Sequence, residues 1–282
     1  MKARTTLALA AALAALAPAR RSAAASLSEI TVDLRLDEST YVAGERMRCV
    51  VDVRNMSPDR ISVGYADSQD HLIIEVIRAV DHEQLDRRLQ RPFVSPFRLD
   101  SNEGQKLEAF LADHYPLEVH KRYLARPVLV HGGTRFEGLF RSFDIVPGMR
   151  VSGAMQMFSN RKGLSREFEL LRWSRQGTDH LFLAAKDSGE KGRKWVTTDI
   201  GPVMNVTKPT ISIMPSGEVI VLHRNGIDSL VRSMFWSLPD VLELRSRELV
   251  LDPETAGQRR IQQQYGEPGS VKPADRPWWK FW

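Results

Sequence analysis

The segment that most constrains the fold of this chain is residues 208–224, KPTISIMPSGEVIVLHR. Ile211 and Ile213 alternate with polar neighbours, which is the two-residue period of a half-buried β-strand. Residues 215–217 (PSG) supply a turn, because proline presets a negative φ and glycine accepts a positive one. In the returning strand, residues 218–222, apolar side chains point to both faces, so we expect burial on both faces. The segment predicts a β-hairpin at the centre of an all-β fold.

Short strand-like segments also recur through residues 30–158. The first of them, residues 30–36 (ITVDLRL), alternates between apolar and polar side chains along its whole length. Residues 128–136 (VLVHGGTRF) place a Gly-Gly pair between two apolar runs, and such a pair favours a tight hairpin turn. Turn-forming Asn, Pro, Asp and Gly separate the remaining segments. This pattern predicts an antiparallel β-sandwich.

Changes in composition divide the chain into successive parts. Residues 159–164 (SNRKGL) are polar and include a glycine, so we predict a linker there between a first domain, residues 26–158, and a second. Residues 165–252 contain further strand-like segments and predict a second, smaller antiparallel β-sheet domain. Residues 253–282 are rich in Gln, Pro, Gly and charged residues, and we predict a flexible tail.

Residues 30–158 contain three motifs found in one known class of fold. They are residues 41–45 (YVAGE), 51–55 (VDVRN) and 146–148 (VPG). Together they resemble those of a bacterial secreted immunoglobulin-like β-sandwich. The resemblance implies a fold and does not assign a binding or catalytic site.

Residues 181–224 resemble one blade of a sialidase-type (Asp-box) propeller. Residues 187–189 (DSG), Trp195, Pro209 and Gly217 match parts of that motif, although Trp195 comes later than the motif expects. The resemblance implies a role in binding or processing glycans. A single blade has open sheet edges, so this part of the chain would have to pack on another domain, a partner or a second copy.

The N-terminus carries the pattern of an export signal. A basic start at residues 1–4 precedes an apolar stretch at residues 5–16, and small residues around Ala19 or Ala25 suit cleavage. The apolar stretch is too short to span a bilayer, which takes about 20 residues. The sequence therefore predicts a signal peptide at residues 1–25 and a periplasmic or extracellular location.

Removing the predicted signal peptide changes the charge balance of the chain. The full sequence has 40 basic and 35 acidic residues, and residues 1–25 hold four of the basic ones and no acidic one. The remaining 36 basic and 35 acidic residues nearly cancel. This balance provides no electrostatic attraction for nucleic acid, so we predict no nucleic-acid partner.

The sequence offers few residues for chemistry, and we predict no catalytic residue, no metal site and no cofactor. The single cysteine, Cys49, excludes an intramolecular disulfide and lies in a strand-like segment, which indicates a core residue. Aspartate precedes histidine at 70–71, 81–82, 113–114 and 179–180. Neighbours in a strand point to opposite faces, so these pairs are poor catalytic dyads. The HExxH, Walker, GxSxG and CxxC motifs do not occur in the sequence.

The C-terminal sequence WWKFW is the most unusual segment of the chain. Trp278, Trp279, Phe281 and Trp282 form an aromatic cluster, and tryptophan is enriched at membrane interfaces and at binding hot spots. We predict that this cluster contacts a partner or a membrane surface. The alternative is that it folds back onto its own domain.

These observations leave three hypotheses of function. The first is an exported, non-catalytic binding or scaffold protein of the bacterial cell envelope, which uses sheet edges and the aromatic C-terminus to contact an envelope protein or a second copy. The second is a glycan-binding or glycan-processing protein, which requires an exposed Trp173, Trp195 or Trp236 beside carboxylates in one cleft. The third is a proteinase inhibitor that acts through the loop at residues 91–101.

Overall fold

The computed structural model describes residues 29–89, 91–157, 165–188, 195–238 and 241–251. These residues are mostly β-strand, and the all-β class predicted from the sequence is confirmed. The elements of the first half are, in chain order, β1 (Ile30–Leu36), β2 (Thr40–Val42), β3 (Arg48–Asn55), β4 (Ile61–Val63), β5 (His71–Arg78), β6 (Phe97–Leu99), β7 (Glu103–Phe110), α1 (Leu111–His114), β8 (Lys121–His131), β9 (Thr134–Glu137) and β10 (Arg141–Val146). Those of the second half are β11 (Met149–Met157), β12 (Ser165–Arg175), β13 (Thr178–Ser188), β14 (Trp195–Pro202), β15 (Thr210–Ile213), β16 (Glu218–Gly226), β17 (Ser229–Ser237) and β18 (Leu242–Leu251).

The first half is built around one core between two main sheets. A three-stranded sheet has the order β1-β3-β7, and a second sheet has the order β2-β10-β8-β5 with β9 paired to β8. The β4-β6 pair contributes buried side chains to the same core. β2 runs parallel to β10, and the other named strand pairs of this half are antiparallel. Leu34, Val51, Ile74, Tyr123 and Phe143 are buried between the sheets.

Two local predictions in the first half are confirmed. The first predicted strand, residues 30–36, is found as β1, with Val32 and Leu34 facing the core. The predicted hairpin turn joins β8 to β9, where His131 pairs with Thr134. Gly132 and Gly133 have φ values of 56° and 77°, and this pair of positive φ angles is what the tight turn requires.

The second half is a sandwich of two four-stranded sheets, each formed by consecutive strands. The sheet β11-β12-β13-β14 is called here the inner sheet, and β15-β16-β17-β18 the outer sheet. β11 packs against β15 and β14 against β18, so the two sheets are stacked in the same order. The core between them includes Phe168, Leu170, Leu183, Val219 and Phe235.

The predicted hairpin of residues 208–224 is confirmed as β15 and β16, and Gly217 takes a φ of 89° in the turn. The prediction that its second strand is buried on both faces is wrong. Val219 and Val221 are buried, whereas Ile220 and Leu222 are only half-buried, because the outer sheet is covered on one side.

β13 is buried on both faces, because its residues 181–185 are all buried, as are residues 168–171 of its neighbour β12. The outer sheet covers one of its faces. On the other face, Phe182 and Ala184 join Leu171 and Val42 in a separate cluster, so the first half covers that side. The inner sheet is therefore the middle layer of the molecule.

Several predicted boundaries fall outside the described residues. These are the signal peptide at residues 1–25, the linker at 159–164 and the tail at 253–282. β11 precedes the predicted linker and pairs with β12 after it, so the inner sheet takes strands from both sides. Residues 181–224 contribute two strands to each sheet of the sandwich. No described helix has the length and apolar character needed to cross a membrane.

Candidate functional site

Two of the four sheet edges in the second half are protected. β14, at one edge of the inner sheet, is covered by the first half: the Thr197 amide donates to the Gly44 carbonyl at 2.9 Å, and Thr197 Oγ1 donates to the Ala43 carbonyl at 2.7 Å. Charge on an edge strand discourages pairing with another chain. β18, at one edge of the outer sheet, carries four charged residues among ten, namely Glu243, Arg245, Arg247 and Glu248.

The other two edges, those of β11 and β15, lie on the same side of the sandwich. Within the described residues, β11 pairs only with β12, and β15 pairs only with β16. β15 has no charged residue, and β11 has one, Arg150. A bulge interrupts β11 at Val151, and the strand then keeps an unbroken register with β12 from Ser152 to Met157. The surface formed by the outward edges of β11 and β15 is called here the open side.

The large apolar side chains on the open side are methionines. The exposed fraction is 62% for Met155 and 79% for Met157, and Met214, which follows β15, is 42% exposed. Met155 and Met157 point away from the outer sheet, because Ala154 between them lies opposite the core residue Phe168. Methionine is flexible and polarizable, and it is common on surfaces that bind protein partners.

Ion pairs hold the face of the inner sheet beside these methionines. Arg150 contacts Glu167 at 3.1 Å and Glu169 at 2.9 Å, and Lys186 Nζ donates to Glu169 at 2.5 Å. The Lys186 ammonium group also lies 4.1 Å from the ring centroid of Trp195. These charged groups are paired with one another. The unpaired backbone edge of β11 is therefore the feature of this region that is available for binding.

A buried polar cluster joins the two halves of the molecule. The Arg175 guanidinium donates to Glu45 Oε2 at 2.5 Å and to Asp199 Oδ2 at 3.0 Å, and it lies 4.7 Å from the ring centroid of Phe182. The His180 ring contacts the same Asp199 carboxylate at 3.0 Å. The side chains of Arg175 and Glu45 are only 9% and 11% exposed. This cluster fixes how the first half packs on the inner sheet.

Gly44 provides a direct test of this junction. It has a φ of 84°, and a Cβ atom added there would lie 2.8 Å from both Thr197 Oγ1 and Trp195 Cδ1. We expect Gly44→Ala to lower the free energy of unfolding by about 2 kcal/mol, through backbone strain and steric overlap. The measurement is chemical denaturation, with Gly177→Ala as control. Gly177 has a φ of 81° and open space around it, so a loss as large as that of Gly44→Ala would contradict the close contact.

In the Asp-His sequences at 70–71 and 179–180, the aspartate and histidine side chains do not pair with each other. His131 contacts Asp70 at 2.9 Å, and His180 contacts Asp199, so each pair joins different segments. Burial alone would raise the pKa of Asp70, but hydrogen bonds from the Ser62 amide and His131 lower it overall. In the part of the chain that the structure describes, no group of three or more His, Cys, Asp or Glu residues is placed to hold a metal ion.

The three tryptophans of the glycan hypothesis lie in two places. Trp173 and Trp195 are half-buried and pack against the cluster that joins the two halves. Trp236 lies on the outer face of the outer sheet and is 42% exposed. Its Nε1 donates to the Glu218 carboxylate at 3.1 Å, and the Arg245 guanidinium lies 3.7 Å from its ring centroid. Of the three, Trp236 is thus the one exposed beside a carboxylate. It lies on a sheet face, and the three tryptophans do not share one cleft.

The remaining candidates from the sequence have different positions. Cys49 is fully buried, as predicted, and burial raises the pKa of its thiol to about 12. The loop at residues 91–101 directs four apolar side chains into the core, namely Phe93, Val94, Phe97 and Leu99. The inhibitor hypothesis stays a prediction without a supporting contact. The aromatic cluster Trp278, Trp279, Phe281 and Trp282 lies outside the described residues.

The open side was missed as a site in the sequence, although a signal for it exists there. Residues 152–157 (SGAMQM) and 210–213 (TISI) are uncharged strand segments, in contrast to residues 242–251 (LELRSRELVL). Absence of charge marks a strand as an unprotected edge only if that strand is known to lie at an edge. The order of strands in each sheet supplies that knowledge.

Comparison with known proteins gives no family. No family model and no curated protein matches the chain. Among solved structures, the sporulation control protein Spo0M from Bacillus subtilis is 13% identical, with 62% of this chain and 91% of that chain covered and a TM-score of 0.29. A DUF4784 family protein from Bacteroides caccae is 9% identical, with 78% and 70% covered and a TM-score of 0.17. Similarities this weak carry no argument about fold or function.

Proposed function

We propose that this protein is an exported, non-catalytic binding or scaffold protein of the bacterial cell envelope, which contacts its partners through the open side and the aromatic C-terminus. The observation that carries the proposal is the contrast between sheet edges. One edge is covered by the first half and one carries four charges, while the edges of β11 and β15, which have one charged residue between them, lie together beside exposed methionines. An unpaired, uncharged edge is a template for strand addition by another chain.

Site-specific crosslinking in cells tests the contact surface. A photoreactive benzoylphenylalanine at position 157 on β11 is compared with one at position 249 on β18, where the native side chains are 79% and 68% exposed. We expect a specific envelope protein, or this chain itself, to be crosslinked from position 157 and not from 249. The crosslink should disappear when Met155→Lys places a charge on the edge. Equal crosslinking from both positions would contradict the proposal.

The tail and the export signal are tested separately. Deletion of residues 267–282 is expected to weaken the crosslink if the aromatic cluster contributes to partner binding, and an unchanged crosslink would remove it from the proposal. N-terminal sequencing of protein from the periplasm or medium is expected to begin after Ala19 or Ala25.

We also propose an immunoglobulin-like topology for the first half, supported by the two sheets packed around its core.

Trp236 favours glycan binding as a second candidate function. An exposed aromatic ring with a carboxylate and a guanidinium beside it offers both a stacking surface and hydrogen-bonding groups for a sugar. If it binds a glycan, we expect Trp236→Ala to weaken binding to bacterial cell-wall polysaccharide by about tenfold or more. The measurement is a pull-down with the insoluble polysaccharide. The control is Trp173→Phe at the junction, which should bind as the wild type does.

A further inference from the structure

We infer that the open side pairs with the open side of a second copy of this chain, so that both sheets of the sandwich continue across a two-fold axis. This inference rests on the proposed function and names the partner of the same surface. It follows from the position of the two open edges, those of β11 and β15, which are the first strands of their sheets and lie over one another. One two-fold axis perpendicular to the stacked sheets brings β11 against β11 and β15 against β15.

The same symmetry limits how β11 can pair with itself. An axis perpendicular to the sheet keeps the outer sheet on the same side in both copies, so residues opposite each other must point to the same face. Two antiparallel registers near the centre of the regular segment satisfy this condition, one centred on Ala154 and one on Met155. Within the regular segment, residues 152–157, the register centred on Ala154 pairs residues 152–156 and the register centred on Met155 pairs residues 153–157.

The side chains favour the register centred on Ala154. It places Met155 opposite Gly153 of the second copy, on the face that points away from the outer sheet. The Arg150 guanidinium lies over Gly153 in each copy, so the 62% exposed Met155 side chain would pack against that guanidinium. Ser152 lies opposite Gln156, and these two uncharged polar side chains can hydrogen-bond to each other, whereas the register centred on Met155 would place Gln156 opposite Ala154. The Arg150 side chain of each copy is paired with Glu167 and Glu169 of its own sheet.

The remaining edges of the sandwich explain why pairing stops at two copies. Residues 43–45 cover β14, so the inner sheet cannot grow from that end. The four charges of β18 oppose growth of the outer sheet. Pairing along the open side uses the β11 and β15 edges of both copies and gives a closed dimer rather than a fibre.

Sedimentation equilibrium of the purified full chain tests this inference, with Met155→Lys and Leu249→Lys as matched variants. Both replace an apolar side chain, 62% and 68% exposed, on the edge strand of one sheet. We expect a dimer for the wild type and for Leu249→Lys. Met155→Lys should raise the dimer dissociation constant about tenfold or more, because each dimer then carries two lysines at the interface. A monomeric wild type overturns the inference, as does equal weakening by both variants.

A cysteine variant tests the register independently of any loss of folding. Ala154→Cys places the two introduced thiols opposite each other across the axis, with Cα atoms about 4.5–5.5 Å apart, which suits a disulfide. The native Cys49 is buried and does not compete. We expect mild oxidation to yield a covalent dimer from Ala154→Cys and not from Ser246→Cys on β18. Failure of Ala154→Cys to crosslink overturns the register.

The two proposals fail in different ways. If the purified chain is monomeric but position 157 still crosslinks to another envelope protein in cells, self-pairing is wrong and the binding function stands. If the chain is dimeric and position 157 crosslinks only to a second copy, self-pairing stands and the envelope partner does not. If the chain is monomeric and position 157 crosslinks to nothing, both are wrong.

Discussion

Arg175→Ala is expected to lower the free energy of unfolding by about 3–5 kcal/mol, because it leaves the buried Glu45 carboxylate without its charged partner. The two groups lie 2.5 Å apart with side chains 9% and 11% exposed. The measurement is chemical denaturation at neutral pH. The control is Arg122→Ala, which breaks the pair with Asp144; the Arg122 side chain is 64% exposed, and we expect a loss below about 1 kcal/mol.

The pH dependence of this loss identifies Glu45 as its source. Burial raises the pKa of the Glu45 carboxyl above its ordinary value even with Arg175 in contact. A raised folded-state pKa means that the folded protein holds the proton more tightly than the unfolded chain, so stability falls as pH rises through that range. Removing Arg175 should raise the pKa of Glu45 further and so widen the pH range over which stability falls. We expect the deficit of Arg175→Ala to shrink when the pH is lowered below the ordinary glutamate pKa, and a deficit independent of pH would contradict the assignment.

A double variant separates the charge from the packing. Replacing both partners with apolar side chains of similar length, Glu45→Leu with Arg175→Met, removes the unpaired charge while keeping the volume filled. We expect the double variant to recover most of the stability lost in Arg175→Ala, since a buried ion pair and a well-packed apolar pair are often similar in energy. Stability as low as that of Arg175→Ala would show that the lost contacts, and not the unpaired carboxylate, cause the deficit.

Lowering the pH from 7 to 4 is expected to remove about 3 kcal/mol of stability through His223 alone. His223 is 2% exposed between the sheets of the second half, and its pKa is lowered from 6.5 to about 4, first by burial and then by the nearby Arg247. The ring also forms a hydrogen bond with the Pro202 backbone. Protonation would put a charge into the sandwich core beside an existing positive charge.

The sign of this effect follows from the direction of the pKa change. Between pH 4 and pH 6.5 the unfolded chain binds a proton at His223 and the folded protein does not. The contribution is therefore fully present above pH 6.5 and is lost as the pH falls to about 4. We expect His223→Gln to flatten the stability profile over this interval relative to the wild type. His71→Gln, at an exposed site on β5, is the control, and a flattening as large in that variant would contradict the role of His223.

The sequence was a good guide to local structure. Alternation in residues 30–36 gave β1 with its bounds, and Gly132 and Gly133 marked the turn between β8 and β9. The hairpin at residues 208–224 was also correct. The prediction that was wrong is the burial of β16 on both faces. Apolar side chains on both faces of a strand show that both faces can be covered, but they do not show what covers them.

Sequence by itself determined the all-β class, individual strands and turns, and the burial of Cys49, because these depend on the alternation of side chains and on backbone preferences of a few neighbouring residues. Only the tertiary structure decided that β12 and β13 are covered on both faces, that Glu45 meets Arg175 across 130 residues, and that β11 and β15 share the open side. Those features depend on which distant segment packs on each face or edge. A local pattern in the chain leaves that choice open, and packing of the whole molecule makes it.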